Sequence, residues 1–213
     1  MGTRILPASL ENIRRAAQIV AEGGLIIYPT ETVYGIGCDP LKVDAVKRLI
    51  EAKGRGDKPL PVLAFSIEHA LRIAILPQGA EKLASKFWPG PLTMVLKKRE
   101  ILPGIVTANR ERVGVRIPDN EVTLLLLKEC GGLLIGTSAN RSGKTPPCTA
   151  VEAKEQLGDF VQIILDGGRA RIGRPSTVVD VTASVTRILR EGPVSRSSIL
   201  RIWQKCDSAP TAP

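Results

Sequence analysis

Leu25-Ile26-Ile27-Tyr28-Pro29-Thr30-Glu31-Thr32-Val33-Tyr34-Gly35-Ile36-Gly37-Cys38-Asp39 sets a short apolar run directly before a segment of hydroxyls, one carboxylate and two glycines. Residues 25–28 read as a buried strand halted by Pro29. The segment that follows has no use in a packed core. Hydroxyls at Thr30 and Thr32, the Glu31 carboxylate and close backbone approach at Gly35 and Gly37 suit one loop that grips a small polar ligand.

Outward from that strand, helical and extended patterns alternate. Residues 10–22 carry Ile13, Ala16, Ala17 and Val20 at helical spacing behind the cap Ser9, and Gly23-Gly24 ends the run. Further helices are expected over 43–52, with Gly54 as terminator, and over 67–73, 79–87, 123–130 and 151–157. Strands are expected over 60–65, 92–97, 113–117, 133–135 and 161–165, with 177–181 and 186–190 as a late pair. The alternation predicts an α/β domain. No repeat and no linker breaks the chain before Ser195, so residues 1–206 are expected to form one catalytic domain and the polar, proline-containing 207–213 a flexible tail.

Composition narrows the function classes. The chain has 213 residues, 43% of them hydrophobic and 24% charged, which is ordinary globular composition. No run approaches the roughly 20 apolar residues that cross a bilayer, and no secretory block follows the N-terminus, so a cytoplasmic protein without membrane contact is expected. Cys38, Cys130, Cys148 and Cys206 form no C-x-x-C pair, which predicts unpaired thiols and no protein-held metal. His69 is the sole histidine, which disfavours a Ser-His-Asp triad or a multi-histidine centre. A net charge of +9, from 30 Lys and Arg against 21 Asp and Glu, draws anions to the surface. Phosphorylated ligands and RNA both fit that charge. Aromatic residues make up only 3% of the chain, so few rings are available for base stacking, which favours a nucleotide or backbone contact over sequence reading.

Three groups of residues carry candidate chemistry. Ser138-Ala139-Asn140-Arg141-Ser142-Gly143-Lys144-Thr145 mimics a P-loop with Ser for the first glycine, but Pro146-Pro147 follows at once and removes the N–H donors that would open a phosphate-binding helix. Ser138 and Asn140 read instead as polar groups projecting from an extended turn. Lys53 and Arg55, spaced two apart beyond a helix, and Arg116, ending an apolar strand, are three cations able to neutralise a triphosphate and the charge of departing pyrophosphate. Ser176 and Thr177 add hydroxyls beside a strand, and Arg190 adds a cation. No nucleophile with a supporting base is recognisable, so positioning and electrostatics are expected to carry catalysis.

These segments, with Val113-Gly114-Val115-Arg116-Ile117-Pro118 and Arg174-Pro175-Ser176-Thr177-Val178-Val179-Asp180, resemble the YrdC family of threonylcarbamoyl-AMP synthases in their order from about residue 5 to residue 196. The resemblance implies a single α/β domain, with a twisted mixed sheet and flanking helices around a large basic cavity. It implies synthesis of threonylcarbamoyl-adenylate from L-threonine, bicarbonate and ATP with Mg2+, releasing pyrophosphate. A partner transferase complex then modifies tRNA. The family's K-x-R and S-x-N signatures correspond to Lys53 with Arg55 and to Ser138 with Asn140, lining the nucleotide and carboxylate cavity. Lys58 and Arg190 match positions near ATP, and Thr32, Arg116 and Ser176 match positions that contact threonine. Thr30 joins that group from its place in the same loop. The chain departs from the family form in a loop one residue shorter after Arg55 and in Leu63 where some members carry a histidine. The long C-terminal extension of two-domain members is missing, which matches the short type. A module that contacts tRNA or double-stranded RNA without adenylation, and an enzyme forming carbamoyl-adenylate, stay open as alternatives.

Overall fold

The computed structural model describes residues 3–54, 56–183 and 185–207. Its strands fall into two mixed sheets where one was expected. The smaller sheet runs β1 (Arg4–Pro7), β10 (Ile163–Asp166), β2 (Ile26–Tyr28), β3 (Gly35–Gly37) and β9 (Thr137–Ser138), with β1, β10 and β2 parallel and the remaining pairs antiparallel. The larger runs β12 (Arg187–Arg190), β11 (Thr177–Asp180), β6 (Leu92–Lys98), β7 (Arg112–Arg116), β4 (Val62–Ala64) and β8 (Leu133–Ile135), with β5 (Ala74–Ile75) added beside β6. The α/β class stands. The late strand pair also stands, as antiparallel β11 and β12.

Helices cover the sheets where apolar spacing predicts them. α1 (Leu10–Ala21) starts at Ser9, whose hydroxyl accepts the Asn12 N–H at 3.3 Å, and buries Ile13, Ala16, Ala17 and Val20. With α5 (Glu121–Glu129), which supplies Leu126 and Leu127, it closes a core on Ile26, Ile163 and Leu165 of the smaller sheet. α2 (Val43–Lys53) ends at Gly54, whose φ of +56° is the left-handed turn that glycine adopts without strain. α3 (Ile67–Ile73), α4 (Gln78–Phe87) and α6 (Ala150–Leu157) fall where expected, and α6 starts at the Thr149 cap, so no helix opens at Gly143-Lys144-Thr145.

β1, β3, β5, β9 and α7 were not anticipated. Gly35–Gly37 belongs to the sheet and not to the loop before it. A Cβ on Gly37 would lie 2.1 Å from the Ile135 carbonyl oxygen and one on Gly35 3.0 Å from the Tyr28 ring, so the close approach predicted for both glycines is to the protein itself. α7 (Arg196–Asp207) docks Ile199 and Trp203 on the main core, with the Trp203 ring against Gly79. The tail expected over 207–213 lies outside the described residues from 208 onward, as do the side chain of Cys206 and all of Arg55 and Ser184.

Alternation in the larger sheet positions the site. Successive side chains of a strand point to opposite faces. Met94 and Leu96 of β6, Val113 and Val115 of β7 and Val179 of β11 are buried in the main core, each contributing about 1.5–3 kcal/mol by burial. Their neighbours in sequence therefore face the other way. Thr93, Val95, Arg112, Gly114, Arg116, Val178 and Asp180 form the floor of a cavity on the reverse of the sheet.

Candidate active site

The cavity holds about 480 Å3, within the range of ligand pockets, and both sheets line it. Gly114 keeps its floor open, because a Cβ there would stand 3.2 Å from Thr93 Cγ2 and project among the lining groups.

At its deep end the loop 29–34 meets β7. Arg116 donates from Nη1 to Thr32 Oγ1 at 3.0 Å and from Nη2 to Glu31 Oε2 at 3.1 Å. Both charged side chains are buried, Arg116 at 7% exposure and Glu31 at 1%. Burial lowers the Arg116 pKa and the Glu31 carboxylate opposes that shift. Thr30 donates to the Val33 carbonyl at 2.6 Å and accepts the N–H groups of Thr32 and Val33, so its hydroxyl shapes the turn. Its one proton being committed there, Thr32 is the donor in the 2.8 Å contact between the two threonine hydroxyls. Glu31 Oε1 and Arg116 Nε are buried without hydrogen-bond partners among the described residues. Tyr28 and Leu63 supply apolar wall beside them.

The opposite wall comes from β11 and β12. Arg190 donates from Nε to Ser176 O at 3.0 Å and from Nη2 to Ser176 Oγ at 3.1 Å, and Ser176 Oγ lies 2.8 Å from Thr93 Oγ1. Arg110, Arg112 and Arg187 also line the cavity, and Arg112 Nη1 donates to Asp180 Oδ2 at 2.7 Å. These three arginines were missed in the sequence. Arg112 was legible from Arg116, since residues four apart on a strand share a face.

Lys53 of the K-x-R signature meets the S-x-N signature, but through main chain. The Lys53 ammonium donates to the carbonyl oxygens of Ser138 and of Asn140, the latter at 2.8 Å. Lys53 is thus buried beneath the Ser138–Asn140 turn, and the cavity wall is formed by Ser138 and Thr137. Asn140 Nδ2 donates to the carbonyls of Arg141 and Lys144, shaping the loop, while its Oδ1 is buried without a partner among the described residues. Asn140 and Lys58 do not line the cavity, and Lys58 is exposed on the neighbouring loop. Arg55 lies outside the described residues. The structure therefore gathers Thr30, Thr32, Arg116, Ser138, Ser176 and Arg190 around one space.

A cavity with a buried arginine–threonine end, an arginine-rich mouth and the Ser138–Asn140 turn over a lysine joins the signature segments in one place. The Sua5/YciO/YrdC family model, described as telomere recombination, matches residues 18–192. The chain belongs to this family. Among its relatives, the threonylcarbamoyl-AMP synthase of Pyrococcus abyssi is 42% identical over 192 residues, which are 89% of this chain and 56% of that protein. The synthase of Bacillus subtilis is 38% identical over 190 residues, 88% of this chain and 55% of that protein. The crystal structure of P. abyssi Sua5 complexed with L-threonine superposes with a TM-score of 0.88 at 41% identity, covering 91% of this chain and 58% of that one. The chain spans just over half the length of these relatives. No helix among the described residues is long and apolar enough to cross a membrane.

Proposed function

We propose that this family member is a threonylcarbamoyl-AMP synthase, with residues 1–206 as its catalytic domain. The observation that carries the reading is the polarity of the cavity, which opposes the charge-balanced Arg116–Glu31 pair with Thr32 to an excess of arginine at Arg190, Arg187 and Arg112. A zwitterionic amino acid suits the first end and a triphosphate the second.

In this reading Thr30, Thr32, Arg116 and Ser176 hold threonine and its carbamate. Ser138 and Arg190 face ATP, and Arg55 and Lys58 are assigned to the same nucleotide. Lys53 and Asn140 keep the Ser138 turn in shape. Leu63 and Tyr28 offer apolar surface to the threonine methyl. The threonine amine attacks carbon dioxide derived from bicarbonate, forming the carbamate and releasing a proton. A carbamate oxygen then attacks the α-phosphorus of ATP, and the bond to pyrophosphate breaks. Mg2+ enters as part of the ATP substrate, held chiefly by phosphate oxygens. The adenylate passes to a threonylcarbamoyl transferase complex acting on tRNA in the cytoplasm.

The test supplies the purified chain with ATP, Mg2+, L-threonine and bicarbonate and follows pyrophosphate and the adenylate. Release should require both threonine and bicarbonate. Pyrophosphate formed without either, or no adenylate with both, defeats the proposal.

A further inference from the structure

Thr93 of β6 sits on the cavity floor between Arg116 and Ser176. Met94 pairs with Val115, so the next rung sets Thr93 across from Arg116 on one side, and Val178, two residues after Ser176, is its partner on the other. Its methyl turns towards β7, since a Cβ on Gly114 would meet Thr93 Cγ2 at 3.2 Å. Its hydroxyl turns towards β11 and lies 2.8 Å from Ser176 Oγ. A β-branched side chain has few χ1 states, so the methyl on one strand fixes the hydroxyl on the other.

Ser176 is held from three sides. The Thr177 N–H donates to the Pro91 carbonyl at 2.9 Å, which ties this segment to the start of β6. A Cβ on Gly192 would lie 2.6 Å from the Ser176 carbonyl carbon, so the chain beyond β12 packs directly on its backbone. Arg190 donates to both Ser176 oxygens, to O at 3.0 Å and to Oγ at 3.1 Å.

The two hydroxyls share one hydrogen bond and have two protons between them. One Ser176 lone pair takes the Arg190 N–H, and Ser176 Oγ is the one hydrogen-bond partner of Thr93 Oγ1 among the described residues. When Thr93 donates, both Ser176 lone pairs are filled and the Ser176 proton is left to face the cavity. An anionic ligand selects that direction. A bond to a charged acceptor is about twice as strong as one to a neutral hydroxyl, and the guanidinium behind Ser176 makes it the stronger donor of the two. With an anion present, Arg190 and Thr93 both donate to Ser176, and Ser176 donates to the anion.

We propose that Thr93 is a positioning residue: by filling the second lone pair of Ser176 it aims the Ser176 proton at the phosphate group through which the two substrates become joined. The identity of that group rests on the proposed function. Only a hydrogen bond is directed, and no proton changes owner. An interaction made chiefly with the joined species raises kcat more than it lowers KM.

Kinetics of the full chain, followed by pyrophosphate release, test this with Thr93→Val, Thr93→Ser, Ser176→Ala and the Thr93→Val/Ser176→Ala pair. Thr93→Val keeps the shape and removes the hydroxyl, and should lower kcat about tenfold, with smaller changes in KM for ATP and threonine. Thr93→Ser restores the hydroxyl and should recover most of kcat. In the Ser176→Ala background, Thr93→Val should cost nothing further, because its partner is already gone. Wild-type kcat in Thr93→Val, a loss confined to KM, no recovery in Thr93→Ser, or full additivity in the double variant overturns the positioning role, and any of these in a chain that makes adenylate sinks this inference alone. If the wild type makes no adenylate, the proposed reaction fails, and calorimetric titration decides on Thr93. The probe is a phosphonate analogue of threonylcarbamoyl-adenylate, with CH2 in place of the oxygen between the carbamoyl carbon and phosphorus. Binding about tenfold weaker in Thr93→Val and recovered in Thr93→Ser supports the role. Affinity that is absent in the wild type or unaltered in Thr93→Val overturns it.

Discussion

The Nζ of Lys53 lies 2.8 Å from the carbonyl oxygen of Asn140, 87 residues further along the chain, and also donates to the Ser138 carbonyl. A buried ammonium here ties the end of α2 to the turn behind β9. Lys53→Met removes the donor and leaves two carbonyls short of a partner, at a cost of about 3 kcal/mol. Urea denaturation should show that loss together with weakened ATP-analogue binding. Unchanged stability would mean that the ammonium does not hold the turn.

Arg116 and Glu31 form a buried pair, and removing one partner strands the other charge, a loss of about 3–5 kcal/mol. Arg116→Met and Glu31→Gln should each destabilise by about that amount, while the double variant should cost much less than their sum. A double-mutant cycle from chemical denaturation checks this. Strict additivity would remove the pair as a unit.

Gly114 leaves the floor of the cavity bare. Gly114→Val introduces branched bulk next to Thr93 Cγ2 and should cost threonine and ATP-analogue affinity about tenfold or more, with cooperative unfolding retained. Calorimetric titration beside a thermal melt separates a blocked cavity from a lost fold. Wild-type affinity in the variant would show that ligands do not use this floor.

Burial raises the Cys38 and Cys130 thiols from the ordinary 9.0 to about 12, and it raises the Tyr28 and Tyr34 phenols above their usual range. Folding holds these protons more tightly than the unfolded chain does. Their contribution is therefore complete below pH 9 and drains away as pH climbs from 9 towards 12. Denaturation midpoints should fall across that interval, and Cys38→Ala should flatten the fall by one proton's share. A midpoint constant from pH 8 to 11 would contradict the burial of these groups.

Legibility followed the range of the interactions involved. The helices α1, α2 and α6 were readable because local spacing and caps decide them, and the antiparallel β11–β12 pair was readable from two extended runs close in sequence. β3 was read as loop because its pairing depends on β2 and β9, one of them a hundred residues away. Thr32, Arg116, Ser176 and Arg190 were recognisable by residue type, yet Arg187 was not, since its face depends on a bulge that pairing geometry alone reveals. Lys53 looked like a ligand-facing cation because nothing in its own segment discloses the carbonyls it meets.

A strand that turns valines to the interior and arginines to the chamber on alternate residues tolerates changes of length only in twos. One residue inserted ahead of Arg112 would carry Arg112 and Arg116 into the oily centre and bring Val113 and Val115 out to the cavity. For β7, losing the cavity and losing the molecule are a single event.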